Sequence, residues 1–208
     1  MKASVSNYTL QMLSVFNRTT MERYLSIWVL FAGLLCLTAS CNSNDSIKAA
    51  TEQSIAQLKQ AGQQNMENDA LFVAESASAN MLHLQLSQEA VARGVSPEVK
   101  SMAQQMQDAH EQMLTELQDL SAKDNLVLPQ TLGNEHQEVY KEVTSKEGIA
   151  FDLAYIREVR YLHDKLLDRY EDMAEHGVSM DVKQYASRQL PLIKQHLEQA
   201  EALEKKIQ

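Results

Sequence analysis

Aromatic residues make up only 6% of the 208-residue chain, and five of the twelve (Tyr8, Phe16, Tyr24, Trp28 and Phe31) fall before residue 42. Proline occurs three times and glycine six times, which excludes collagen-like and Pro/Gly-rich disordered chains. Beyond residue 41, β-branched residues are sparse and Ala, Leu, Gln, Glu and Met dominate. That composition excludes an all-β fold and favours long helices. Cysteine occurs only at positions 36 and 41, so disulfides and thiolate-based zinc, iron–sulfur or nucleophile sites are excluded downstream. Positive charge is in short supply. The formal net charge is -9, and the first 41 residues carry Lys2, Arg18 and Arg23 against Glu22, which leaves the remainder more acidic than the whole. An acidic body without a basic stripe argues against nucleic acid as a partner. No phosphate-binding loop, nucleophile elbow or acid/base carboxylate pair is present, so the reading leans away from an enzyme and names no catalytic residue.

What is present begins with an address. Tyr24 to Leu37 reads YLSIWVLFAGLLCL. The run is short for a membrane span and suits the apolar core of a signal peptide, with Arg18 and Arg23 as its basic flank. Leu37-Thr38-Ala39-Ser40-Cys41 follows and resembles a bacterial lipobox, in which small residues precede a cysteine that is lipidated and becomes the new N-terminus. Cys36 fits worse, because bulky Leu35 precedes it. The alternative is an uncleaved anchor helix with a chance cysteine, and translation can start at Met1 or Met21. Position 42 is Asn and not the Asp that retains such proteins in the enterobacterial inner membrane. By that resemblance, the expectation is an outer-membrane lipoprotein facing the periplasm, held to the membrane by lipid on Cys41. Residues 1–40 are read as signal, 41–66 as a partly helical tether and 67–208 as the folded domain.

The domain reads as helices at about 69–93, 97–123, 134–145, 149–176 and 180–207. Ser96-Pro97-Glu98 combines an N-cap, an N1 proline and a first-turn acid. Gly94 and Gly177 end the helices before them, each as a C′ glycine. The turns Gly94-Val95-Ser96-Pro97-Glu98-Val99-Lys100 and Gly177-Val178-Ser179-Met180-Asp181-Val182-Lys183 match, which suggests two related helical hairpins. Apolar seams alternate at +3 and +4. One reads Val99, Ala103, Met106, His110, Met113, Leu117; another reads Asp152, Ile156, Val159, His163, Leu166, Tyr170. Four such helices make a four-helix bundle.

Four of the six histidines (His83, His110, His163 and His196) sit on these seams, one per long helix. Counting residues from Gly94 and Gly177 places all four near mid-height at a rise of about 1.5 Å per residue. Two readings follow. One is a metal site for Zn, Cu or Fe, since neutral imidazole ligates these ions and bundle interiors host such centres. The other is a buried polar network that specifies helix register. A di-iron centre is disfavoured, because the residues three before His110, His163 and His196 are Gln107, Arg160 and Ile193, none of them the Glu such centres use. A bis-histidine haem is a third and weaker option. Asp152 is on the seam but about 16 Å along the helix from His163. Met102, Met106 and Met113 surround His110 as core filler or, with imidazole, as soft ligands. Pro191 removes one helix bond a turn before His196 and is expected to kink that helix.

With these residues in view, the chain from about Asp69 to Glu204 resembles the bacterial domain of unknown function 4142 family. The matching pieces are Phe72-Val73, Ser96-Pro97-Glu98-Val99-Lys100, Met106 through His110, Phe151-Asp152 with Tyr155 and His163, and Leu190-Pro191 with His196. The resemblance implies a ferritin-like bundle of exported proteins with no established activity. It implies family positions for His110, His163 and His196, with Asp152 and Tyr155 as accessory residues. A carboxylate is the more usual residue where this chain has His83, and that departure counts against a ferritin-type centre. The expected function is a non-enzymatic binding, structural or stress-related envelope protein; the alternative is a periplasmic metal-binding or redox protein using the four histidines. No protein partner is named by the sequence.

Overall fold

The computed structural model describes residues 45–207. The signal segment, Cys41 and Asn42 lie outside the described residues. Those that are described form six helices and no strand: α1 Ser46–Gln60, α2 Glu67–Arg93, α3 Pro97–Asp124, α4 Asn134–Thr144, α5 Gly148–His176 and α6 Met180–Ile207. The five helices expected from the sequence are thus present with ends shifted by at most a residue or two. None of the described helices is long and apolar enough to cross a membrane.

The long helices pack as two pairs, α2 with α3 and α5 with α6, and the pairs meet through α2 on α5 and α3 on α6. Each pair is closed by a short turn, and each turn is fastened by a buried aspartate from the other pair. Asp152, near the start of α5, accepts hydrogen bonds from the backbone N–H of Val95 (3.0 and 3.1 Å) and Ser96 (2.7 Å). Asp69, in the first turn of α2, accepts from Val178 (3.0 and 3.1 Å) and Ser179 (2.7 Å). The two hairpins therefore run in opposite directions, each starting beside the other's turn. Asp69 and Asp152 are separated along the chain by the same distance as Gly94 and Gly177, so the repeat seen in the turns extends to what holds them.

The two turn glycines differ from the expectation of a left-handed cap. Gly94 has φ -56° and ψ 151°, and Gly177 has φ -54° and ψ 148°. Both are extended. The reason for glycine is close approach: a Cβ on Gly94 would lie 2.6 Å from the Ala90 carbonyl oxygen, and one on Gly177 would lie 2.8 Å from that of Met173.

The segment read as a partly helical tether carries α1, which packs on α2. Asp45 caps it, accepting from Ile47 N–H at 2.8 Å, and its other carboxylate oxygen accepts from Asn134 N–H at 3.0 Å. Ser54 is buried and accepts from Val127 N–H at 2.8 Å. Ala50, Ser54 and Leu58 form the buried face. Two of these three are small, so contact is made by close backbone approach and polar anchors, a pattern that hydrophobic periodicity does not register. Helix α4 crosses between the pairs, against α2 and α5. Helix α6 continues through Pro191 over its whole length.

The core is divided. One apolar cluster contains Phe72, Val73, Met113, Leu117, Leu166, Tyr170, Tyr185 and Ile193. The other contains Leu82, Leu86, Ala90, Val99, Met106, Phe151, Ile156, Val159 and Ala200. Along every long helix the passage from one cluster to the other falls at or beside a histidine. It lies between Ala79 and Leu82 on α2, one residue before His83, and between Met106 and Met113 on α3, Leu162 and Leu166 on α5, and Ile193 and Ala200 on α6.

Candidate metal centre

That dividing layer consists of His83, His110, His163 and His196. The first three are 0% exposed and the fourth 3%. Ring centroids lie 4.2 Å apart for His83–His110, 4.5 Å for His83–His163, 5.3 Å for His110–His163 and 5.1 Å for His163–His196. The four helices thus bring all four predicted histidines into contact distance. Three of them, His83, His110 and His163, offer one ring nitrogen each with these atoms all within 4.8 Å of one another. His196 stands beside that group and is bonded to His163.

Hydrogen bonds fix the tautomers. His163 Nδ1 lies 2.8 Å from the Val159 carbonyl oxygen, an obligate acceptor, so Nδ1 carries the proton. His110 Nδ1 lies 2.7 Å from Asn80 Oδ1. The Asn80 amide is oriented by its Nδ2, which donates to the Ser76 carbonyl at 2.7 Å, so His110 also donates from Nδ1. In both rings Nε2 is left as a lone pair. His163 Nε2 receives His196 Nδ1–H at 3.2 Å. His110 Nε2 has no partner, and neither has either nitrogen of His83. An imidazole whose distal N–H is held by an amide or backbone carbonyl while its other nitrogen faces a shared point is the arrangement that presents metal-ligating histidines.

Burial and mutual repulsion among the rings drive the His83 and His110 pKa values well below the ordinary histidine range, with burial the larger cause. Burial and the neighbouring His196 lower His163 to about 3, and burial alone lowers His196 to about 4. All four are neutral at pH 7, the form in which imidazole ligates. A tetrahedral ion with bonds of about 2.0–2.1 Å holds its donors roughly 3.4 Å apart. Binding therefore asks the rings to close by roughly 1 Å, with His83 rotating out of its near-parallel stack on His110, whose interplanar angle is 9°. It also asks His196 to release His163 Nε2, and a net value of about 0.5–1.5 kcal/mol for a neutral hydrogen bond makes that a small demand.

The accessory residues lie elsewhere. Asp152 holds the α2–α3 turn as described above. Tyr155 is buried and its hydroxyl lies 3.0 Å from Ser87 Oγ, with burial pushing its own pKa above the usual tyrosine value. Neither belongs to the group of convergent ligand atoms. Of the histidines given no role, His136 Nδ1 is hydrogen-bonded to Ser78 Oγ (2.7 Å), which accepts from Gly133 N–H. His176 pairs with Asp172 on the surface. The residue that sequence reasoning missed is Asn80. It occupies in α2 the repeat position that His163 occupies in α5, so the repeat itself was the signal that could have found it.

No curated protein and no solved structure shows a significant match to the chain. Residues 50–203 match a family described as Domain of unknown function (DUF4142). The match begins within α1 and takes in both hairpins and the whole histidine layer, in agreement with the resemblance carried by the turns and the histidines. On that evidence the chain belongs to the DUF4142 family.

Proposed function

We propose that the protein is a lipid-anchored component of the bacterial envelope whose ferritin-like four-helix bundle binds a transition metal through His83, His110 and His163, with His196 held beside them. The observation that carries the metal reading is His83. Both of its ring nitrogens are buried without a hydrogen-bond partner, next to an equally unpartnered Nε2 on His110. Each such group costs about 1–3 kcal/mol when left unsatisfied. An ion ligated by one His83 nitrogen and by His110 Nε2 relieves two of these three costs. The anchor rests on the Leu37–Cys41 lipobox, and the periplasmic face of the outer membrane on Asn42. No catalytic step is assigned.

The other reading is a register-specifying polar network in a non-enzymatic structural or stress-related bundle. The Asn80–His110, Val159–His163 and His163–His196 hydrogen bonds favour it. Elemental analysis separates the two. The chain is purified without a histidine tag, exposed to Zn, Cu and Fe, and compared with a His110→Ala/His163→Ala double variant. Metal near one per chain that disappears in the variant supports the centre. A folded wild-type chain that retains none after exposure leaves the structural reading.

A further inference from the structure

We infer that the ion for which the histidine layer is built is monovalent copper. This narrows the metal-binding reading above and rests on it.

The first argument is charge. Among the described residues, the ligand atoms that converge come from His83, His110 and His163, all neutral donors. The buried carboxylates Asp69 and Asp152 are committed to turn amides at the two ends of the bundle. An ion in the layer therefore keeps its whole charge in an apolar interior. The desolvation cost of an ion scales with the square of its charge, so a divalent ion costs about four times as much as a monovalent one of similar size. Divalent centres in proteins relieve that cost with carboxylate, thiolate or bound water.

The second argument is coordination number. Cu(I) has a filled d shell and is satisfied by two or three nitrogen donors. Zinc takes four in a closed site. The fourth imidazole here, His196, directs Nδ1–H and not a lone pair toward its neighbour in the layer.

The third argument is softness. Met106 and Met113 lie one turn on either side of His110 along the α3 seam, and both are buried. They place polarizable thioethers in the layers next to the site, where hard cations would be matched by oxygen. Thioether and imidazole together select Cu(I).

The test uses the full-length untagged chain carrying Cys36→Ser and Cys41→Ser, so that no thiol competes for Cu(I), stripped of metal. It is titrated anaerobically with Cu(I) against the chromophoric competitor bicinchoninate, alone and with equal Zn(II) or Co(II) present. The expected result is one Cu(I) taken from the competitor per chain and not displaced by either divalent ion. The copper-loaded protein is expected to stay EPR-silent in air. His83→Leu weakens Cu(I) binding by more than about 100-fold, beyond the upper end of the effect of losing an outer-shell partner. His83→Gln serves the same purpose if the leucine variant does not fold. Displacement of Cu(I) by Zn(II) or Co(II), or a Cu(II) signal in air, overturns the copper assignment and leaves a metal centre standing. Unchanged Cu(I) affinity in a folded His83 variant overturns the site. A folded wild-type chain that binds none of the three ions removes this inference together with the reading it rests on.

Discussion

His83 and His110 are stacked neighbours with opposite consequences for the metal-free protein. His83→Leu replaces two unpartnered buried nitrogens with a side chain of similar size, so it is expected to stabilise the apo chain by about 1–3 kcal/mol while weakening metal binding. His110→Leu strands Asn80 Oδ1 in the interior and is expected to destabilise by a similar amount. Urea denaturation of the two variants without metal checks the sign of each. Asn80 positions His110, and Asn80→Ala is expected to lower metal affinity about 10–100-fold with the three ligands still in place. The four histidines were legible in the sequence because each breaks an apolar seam. Asn80 was not, because an asparagine on a weakly patterned helix looks like solvent-facing polarity until its partner across the interface is known. The three-plus-one division of the layer was likewise not legible, since it depends on ring orientations and not on heights along the helices.

Asp69 and Asp152, each near a helix start, hold the opposite hairpin. Asp69→Ala and Asp152→Ala each remove a buried carboxylate that accepts from two backbone N–H groups, and each is expected to cost about 2–4 kcal/mol, by nearly equal amounts in the two variants. Thermal melts of the pair check the equality, which follows from the matched geometry of the two turns. The long helices were readable from sequence because caps, turn glycines and seams agreed with one another. Their glycines were recognised for the wrong reason, since backbone contact and not a left-handed conformation excludes a side chain there. Helix α1 shows where periodicity stops being informative. Its contact face is Ala50, Ser54 and Leu58, and its anchor to the segment before α4 is the Ser54 hydroxyl and the Asp45 carboxylate. Ser54→Ala removes only the hydroxyl and strands Val127 N–H, so a loss of about 1–3 kcal/mol is expected.

Across the whole molecule, two apolar clusters meet at a layer that has to stay uncharged. Burial lowers all four histidine pKa values below their unfolded value of about 6.5. Between that value and the folded ones, the unfolded chain binds protons that the native chain does not. Stability of the apo protein is therefore complete above about pH 6.5 and falls as the pH drops below it, by up to about 1.4 kcal/mol per pH unit for each histidine. Denaturant midpoints at pH 7.5 and pH 5 are expected to differ strongly, and the His83→Leu variant is expected to lose less. Whether the layer also holds a metal is read most directly by nitrogen NMR of the histidine rings in the full-length chain, before and after metal is added. The expected spectrum of the apo protein shows His110 and His163 protonated at Nδ1, with their Nε2 resonances moving on metal addition together with those of His83. Nε2-protonated rings, or ring resonances that do not respond to Cu(I), Zn(II) or Fe(II), would contradict a metal centre in this layer.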